Sequence, residues 1–268
     1  MFDTHCHLDD EAFEQDLDVV IARAHAAGVE RMLAPGTTIA SSRRCIEIAS
    51  ANPSVFAAVA IHPNSILDDL SHLPDLAAEF DRIFEELATQ PKVVAIGETG
   101  LDEYWDFVPI EVQKEYLCRH LHVARRANLP IILHCREAEQ ALLDTLREDF
   151  DRNSVVPGVI HSFSGDSAFL AACLELGFFI SFSGSATYTN RKFRKIQECA
   201  ALTPSDRILS ETDSPYLTPT PFRGKVSRNA PEYMTHTLEA LASLRGESVE
   251  SLQQTTSENA LRLFGRGL

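Results

Sequence analysis

His5 and His7 stand two residues apart in the opening stretch Met1-Phe2-Asp3-Thr4-His5-Cys6-His7-Leu8-Asp9-Asp10. On an extended backbone, residues i and i+2 point the same way, so the two imidazoles project together and Cys6 turns to the other face. Neutral imidazoles converging from one strand end can hold zinc or a related divalent ion. Paired histidines also occur on ordinary surfaces, so the pair alone does not make a metal site. Repetition strengthens the reading. Further along, apolar runs lead into His62, Glu98, His134 and His161, and a last one leads through Ser210, Glu211 and Thr212 to Asp213.

Seven such positions hold only His, Glu or Asp. Nitrogen and carboxylate oxygen without thiolate suit Zn²⁺, Mn²⁺ or Mg²⁺ rather than a structural four-cysteine zinc. His5, His7, Glu98, His134, His161 and Asp213 exceed what one tetrahedral ion needs, so two divalent ions use them better. The expected arrangement puts His5, His7 and Asp213 on one ion, His134 and His161 on the other, and Glu98 between the two. A carboxylate so placed offsets the repulsion of two cations, and a water shared by them becomes acidic enough to attack near neutral pH. Asp213 can also take the proton of that water as general base.

The elements that must position these residues can be read from periodicity. Eight short apolar runs read as strands, near 1–4, 31–34, 55–61, 93–97, 131–134, 156–161, 178–182 and 208–212. Helical patterns separate them, at 15–27, 39–51, 77–89, 110–127, 137–149, 169–176 and 193–202, with two more in the tail at 233–244 and 249–264. Strict alternation with eight strands predicts an α/β protein, a single (β/α)₈ TIM-like barrel over 1–268 with extra C-terminal helices. In that fold the residues just past the C-terminal strand ends face one mouth. A doubly wound open sheet would call for a Gly-rich phosphate turn after the first strand, where this chain has His-Cys-His.

The motifs resemble the TatD family of metal-dependent hydrolases, within the amidohydrolase-like barrels. The resemblance rests on Asp3-Thr4-His5-Cys6-His7-Leu8-Asp9, Gly97-Glu98-Thr99-Gly100-Leu101-Asp102, Leu133-His134-Cys135-Arg136-Glu137-Ala138, His161-Ser162-Phe163-Ser164-Gly165 and Glu211-Thr212-Asp213-Ser214-Pro215-Tyr216-Leu217. These run nearly the whole chain in the family's order. The resemblance implies ligand roles for His5, His7, Glu98, His134, His161 and Asp213, and hydrolysis of DNA phosphodiesters, often from a 3′ end. Two positions depart from the family pattern. Ala60 precedes Ile61-His62-Pro63 where Gly is usual, and Ala230 follows Arg228-Asn229 where Glu is usual.

A phosphodiester substrate needs donors beyond the metals. Arg223 and Lys225 lie in the loop after the eighth strand, Arg136 follows on His134, and His62 at its own strand end can hydrogen-bond a phosphate. Arg191, Lys192, Arg194 and Lys195 form the densest basic cluster, which equally suits a solvated helix face. Tyr104, Trp105 and Phe107 suit either stacking on an unpaired base or buried loop packing. Glu211 can orient a ligand or close a structural ion pair.

The formal charge of −15 excludes a protein that coats nucleic acid through a general basic surface, but not a nuclease whose cations sit in its cleft. No apolar run is long enough to span a bilayer and no signal sequence is evident, so no membrane partner is expected. Six scattered cysteines without a Cys-x-x-Cys pair point to a reduced, cytoplasmic protein. No obligate protein partner is evident. DNA is the expected substrate. A metal-dependent C–N hydrolase, an amidohydrolase or deaminase, is the enzyme alternative, because the same metal-activated water could attack a carbonyl or amidine carbon. A non-catalytic metal-binding scaffold is the alternative from another class.

Overall fold

The structure, a computed structural model, describes residues 1–73 and 75–265. Its strands are β1 (Phe2–Asp3), β2 (Arg31–Pro35), β3 (Val55–Val59), β4 (Val93–Asp102), β5 (Ile131–Arg136), β6 (Gly158–Ile160), β7 (Phe179–Phe182) and β8 (Ile208–Ser210). They are ordered β1 to β8 as in the sequence, with helices intervening. This is the (β/α)₈ class expected, and its C-terminal helices Met234–Arg245 and Val249–Phe264 follow β8. With the exception of half-buried Arg31 and His134 and exposed Arg136, the strand residues are buried. That matches runs rich in Val, Ile, Leu and Ala rather than alternating ones.

The chain forms two compact units. One comprises Met1–Ala34 and His161–Arg262. Within it β1 pairs with β2, Phe2 opposite Arg31, and β7 pairs with β8, Ile180 opposite Ile208. Phe13, Phe163, Phe178 and Phe182 lie fully buried there. Asp166 starts the helix Ser167–Glu175 by accepting from the amides of Ala168 and Phe169, a side-chain cap for two otherwise unpaired donors.

The other unit comprises Pro35–Ile160 with Leu263, Phe264 and Gly265. Here β3, β4, β5 and β6 pair in parallel. Helix Leu76–Ala88 lays Leu76, Phe80, Ile83, Phe84 and Leu87 in its core, an i, i+4, i+7, i+8, i+11 stripe. Helix Ile110–Ala127 ends where Asn128 adopts a left-handed conformation, with Arg125 and Arg126 in its last turn, where cations suit the helix dipole.

Two elements differ from the periodicity. Helix Ile66–His72 lies between the periodic segments, because seven residues are too few to display a helical period. Strand β4 does not stop at Gly97 but continues to Asp102 after a register shift between Ile96 and Thr99. Gly100 makes the continuation possible. It lies opposite His134 at φ +144°, and a Cβ there would fall 2.0 Å from the His134 carbonyl oxygen. Only glycine lets the two backbones approach so closely.

Candidate metal centre

In the first unit His5, His7, His161 and Asp213 form one cluster. His5 Nε2 lies 3.2 Å from His7 Nε2, and Asp213 Oδ1 lies 3.9 Å from the first nitrogen and 3.5 Å from the second. The His5 and His161 rings stack with centroids 4.0 Å apart. His5, His161 and Asp213 also offer ligand atoms within 4.8 Å of one another.

Backbone and buried polar groups hold this arrangement. The Asp213 amide donates to the His5 carbonyl at 2.9 Å, and the His7 amide to the Ser214 carbonyl at 2.8 Å. Asp3, fully buried beneath, accepts from the Thr212 amide and hydroxyl at 2.9 and 2.6 Å. Burial pushes the Asp3 carboxyl up to about 7 despite these bonds from Thr212. Asn229 donates to the carbonyls of Thr212 and Tyr216 at 2.9 and 2.7 Å, bracketing the turn that carries Asp213. Burial acts to raise the Asp213 carboxyl, but the His7 hydrogen bond and the His5 and His161 imidazoles outweigh it and hold the group below its ordinary value. Behind His161, the fully buried Glu211 places Oε1 3.4 Å from Nδ1 and accepts from the Ser162 amide at 2.7 Å.

In the second unit His62, Glu98 and His134 meet. Glu98 Oε1 lies 3.4 Å from His62 Nε2 and 3.0 Å from His134 Nδ1. The outer nitrogens are occupied too. His62 Nδ1 accepts from the Asn64 amide at 3.1 Å, and His134 Nε2 lies 2.9 Å from Asp102 Oδ2, which also accepts from Asn64 Nδ2 at 3.0 Å. Burial acts to raise Asp102, but the hydrogen bonds from His134, Trp105 and Asn64 prevail and hold its carboxyl at about 2. Deeper in the core, His120 bonds to Thr99 Oγ1 and the Tyr116 carbonyl through Nδ1 and accepts from the Ile61 amide through Nε2. It therefore braces the segment leading into His62 and strand β4, which carries Glu98.

Both clusters fit a divalent ion. Ligand atoms about 2.1 Å from a metal lie about 3.4 Å apart in tetrahedral geometry and about 3.0 Å apart in octahedral geometry. The separations of 3.2, 3.5 and 3.9 Å in one cluster and of 3.0 and 3.4 Å in the other straddle these values. Asp102 hydrogen-bonds His134, a pairing that fixes the tautomer and orientation of a metal-ligating histidine. In the other cluster the buried Glu211 carboxylate faces His161 Nδ1 at 3.4 Å.

The sequence reading places His134 and His161 on one ion; in the structure the ligand atoms of His161 lie with those of His5 and Asp213, and those of His134 with those of His62 and Glu98. His62, expected to face a phosphate, thus stands among the candidate ligands. Asp102 went unassigned although it closes a quoted motif, and Asn64 and His120 were missed outright; the His62-Pro63-Asn64 turn was the signal for Asn64. Arg223 lies over the Tyr188 ring at 3.8 Å, and Arg136 over Tyr104 at 3.6 Å. Lys225 is exposed, as are Arg191, Lys192, Arg194 and Lys195. Ala60 is fully buried, its amide and carbonyl both bonded to the Ser42 hydroxyl, and the Ala230 amide donates to Asn229 Oδ1.

A (β/α)₈ chain with such His and carboxylate clusters has the architecture of a metal-dependent hydrolase. The chain belongs to the TatD related DNase family, whose sequence profile matches residues 2–265. It is 39% identical over 264 residues to the uncharacterized metal-dependent hydrolase YabD of Bacillus subtilis, covering 98% of each chain. It is 35% identical over 268 residues to the 3′-5′ ssDNA/RNA exonuclease TatD of Klebsiella pneumoniae, covering 99% of this chain and 98% of that one. Among solved structures it is similar to YJJV, a TatD homologue from Escherichia coli, with TM-score 0.88 and 30% identity over 99% of this chain and 98% of that one.

Proposed function

We propose that the chain is a divalent-metal-dependent phosphodiesterase that hydrolyses DNA from single-stranded 3′ ends in the cytoplasm. The observation that carries this reading is the pair of His and carboxylate clusters, each with a buried carboxylate facing one of its imidazoles. The exonuclease relative, 35% identical over nearly its whole length, supports the substrate class.

Two divalent ions, Mg²⁺, Mn²⁺ or Zn²⁺, are the proposed cofactors: His5, His7, His161 and Asp213 would hold one, and Glu98, His134 and His62 the other. When bound, such ions act as Lewis acids toward a phosphoryl oxygen and lower the pKa of water. The chain's own residues do the rest. Asp213, held ionised by the neighbouring imidazoles, accepts the proton of the attacking water. Glu98 supplies the charge that keeps the His62 and His134 rings directed at one point. Asp102 and Glu211 keep His134 and His161 from rotating. Arg136, Arg223 and Lys225 provide cations for phosphate oxygens in an otherwise acidic protein, with the two arginines held over aromatic rings.

The test is incubation of the purified protein with end-labelled single-stranded DNA and Mg²⁺ or Mn²⁺, with and without chelator. Stepwise shortening from the 3′ end that chelator abolishes is expected. Intact DNA, alongside turnover of a small amide or lactone, would replace this reading with the C–N hydrolase.

A further inference from the structure

Directly after Asp102 the chain places three aromatic side chains on the surface. Tyr104, Trp105 and Phe107 are 46, 43 and 56% exposed. The sequence left open whether they pack inside a loop, and this exposure decides against it. Their rings form one ordered group: Trp105 and Phe107 lie parallel with centroids 5.2 Å apart, and Tyr104 meets Trp105 edge-on at 4.8 Å. The Arg136 guanidinium extends the group, 3.6 Å from the Tyr104 centroid and 5.9 Å from that of Trp105. Exposing three adjacent aromatic rings sacrifices burial that would otherwise stabilise the fold, and a cation beside them suits an anionic ligand with flat apolar faces.

The loop is also anchored. Asp102 Oδ1 accepts from the amides of Tyr104 and Trp105 at 3.0 and 3.1 Å, while Oδ2 of the same carboxylate meets His134 Nε2 at 2.9 Å. The Glu103 amide donates to the Arg136 carbonyl at 2.9 Å. The buried Gln113 fixes the loop's base by bonding Asp102 through its amide and carbonyl and reaching the Val108 carbonyl. One carboxylate therefore ties the aromatic group to a candidate metal ligand, so the rings stand at a fixed distance from it.

We infer that Tyr104, Trp105 and Phe107, flanked by Arg136, form a stacking platform for unpaired bases of a nucleic-acid strand whose phosphates Arg136 meets. Alternating rings and cations is how proteins grip single strands without reading sequence, because every base has a flat face. A duplex keeps its bases stacked on one another and cannot use such a platform. The inference deepens the nuclease reading and rests on it for the fate of the strand, but binding can be measured without turnover.

Trp105 is the only tryptophan of the chain, so its fluorescence reports the platform directly. With chelator present, a short single-stranded deoxyadenosine oligonucleotide should quench it saturably, and an oligomer of the same length with abasic sugars should bind more weakly and leave it unquenched. With Mg²⁺, the double variant Trp105→Ala, Phe107→Ala should lose at least about fivefold in kcat/KM on the base-bearing strand, through KM, and almost nothing on the abasic one. Equal quenching by both strands, or an unchanged KM in the double variant, would overturn the platform. Quenching by the base-bearing strand alone with neither strand cleaved would support the platform while sinking the nuclease reading.

Discussion

His134 Nε2 lies 2.9 Å from Asp102 Oδ2, on the opposite edge of the ring from the nitrogen that faces Glu98. The carboxylate therefore sets which nitrogen of His134 is left facing Glu98, the nitrogen proposed to bind a metal. Asp102→Asn preserves shape but removes the charge that orders the ring. Affinity for Mn²⁺, measured by calorimetry, should fall about 10–100-fold. Because the same carboxylate holds the Tyr104 and Trp105 amides, the emission of Trp105 should shift as well. Wild-type affinity in a folded Asp102→Asn variant would show that His134 does not depend on this partner.

Glu211 also sets a carboxylate beside an imidazole, 3.4 Å from His161 Nδ1, a looser approach than that of Asp102 to His134. Glu211→Gln should likewise lower metal affinity about 10–100-fold, but at the other ion. In a titration that resolves two binding steps, Asp102→Asn and Glu211→Gln should each weaken a different step. Loss of the same step in both variants would contradict the assignment of one ion to each cluster.

Gly100 tests the close approach that brings His134 beside Glu98. An alanine there combines an unfavourable backbone conformation with a methyl group 2.0 Å from the His134 carbonyl oxygen. Gly100→Ala should destabilise the protein by at least about 3 kcal/mol. Gly177→Ala is the control: its φ is +87°, but a Cβ there meets no atom within 4 Å, so about 1 kcal/mol is expected. Equal urea midpoints for the two variants would refute the packing argument.

His120 makes stability depend on pH. Burial lowers its pKa from 6.5 to about 3, so the folded protein keeps the imidazole neutral where the unfolded chain protonates it. Between about pH 3 and 6.5 the unfolded state therefore binds more protons. The stability that neutral His120 contributes is whole above pH 6.5 and declines as pH falls, by up to about 1.4 kcal/mol per unit. His120→Gln, which keeps an acceptor for the Ile61 amide, should narrow its stability gap from wild type as pH drops from 7 to 4 in chelator-treated protein. A gap constant over that range would mean that His120 titrates alike in both states.

The sequence by itself determined the alternation of eight strands with helices and the residues that end most of those strands. A period of 2 or 3.6 and a run of Val, Ile, Leu and Ala are local properties, as is the His-x-His spacing that aims His5 and His7 together. Helices Ile39–Ala51, Ile110–Ala127 and Val249–Phe264 fall where the periodicity places them. Tertiary structure alone decided what local pattern cannot carry. It carried β4 past Gly97, because the glycines there matter only through the strand packed against them. It set Asp102 behind His134 and Glu211 behind His161, and it put His62 beside Glu98, since a carboxylate's partner is fixed by where two backbones come together rather than by the residues around it. It also turned Tyr104, Trp105 and Phe107 outward, where their types suit a surface stack and buried loop packing equally.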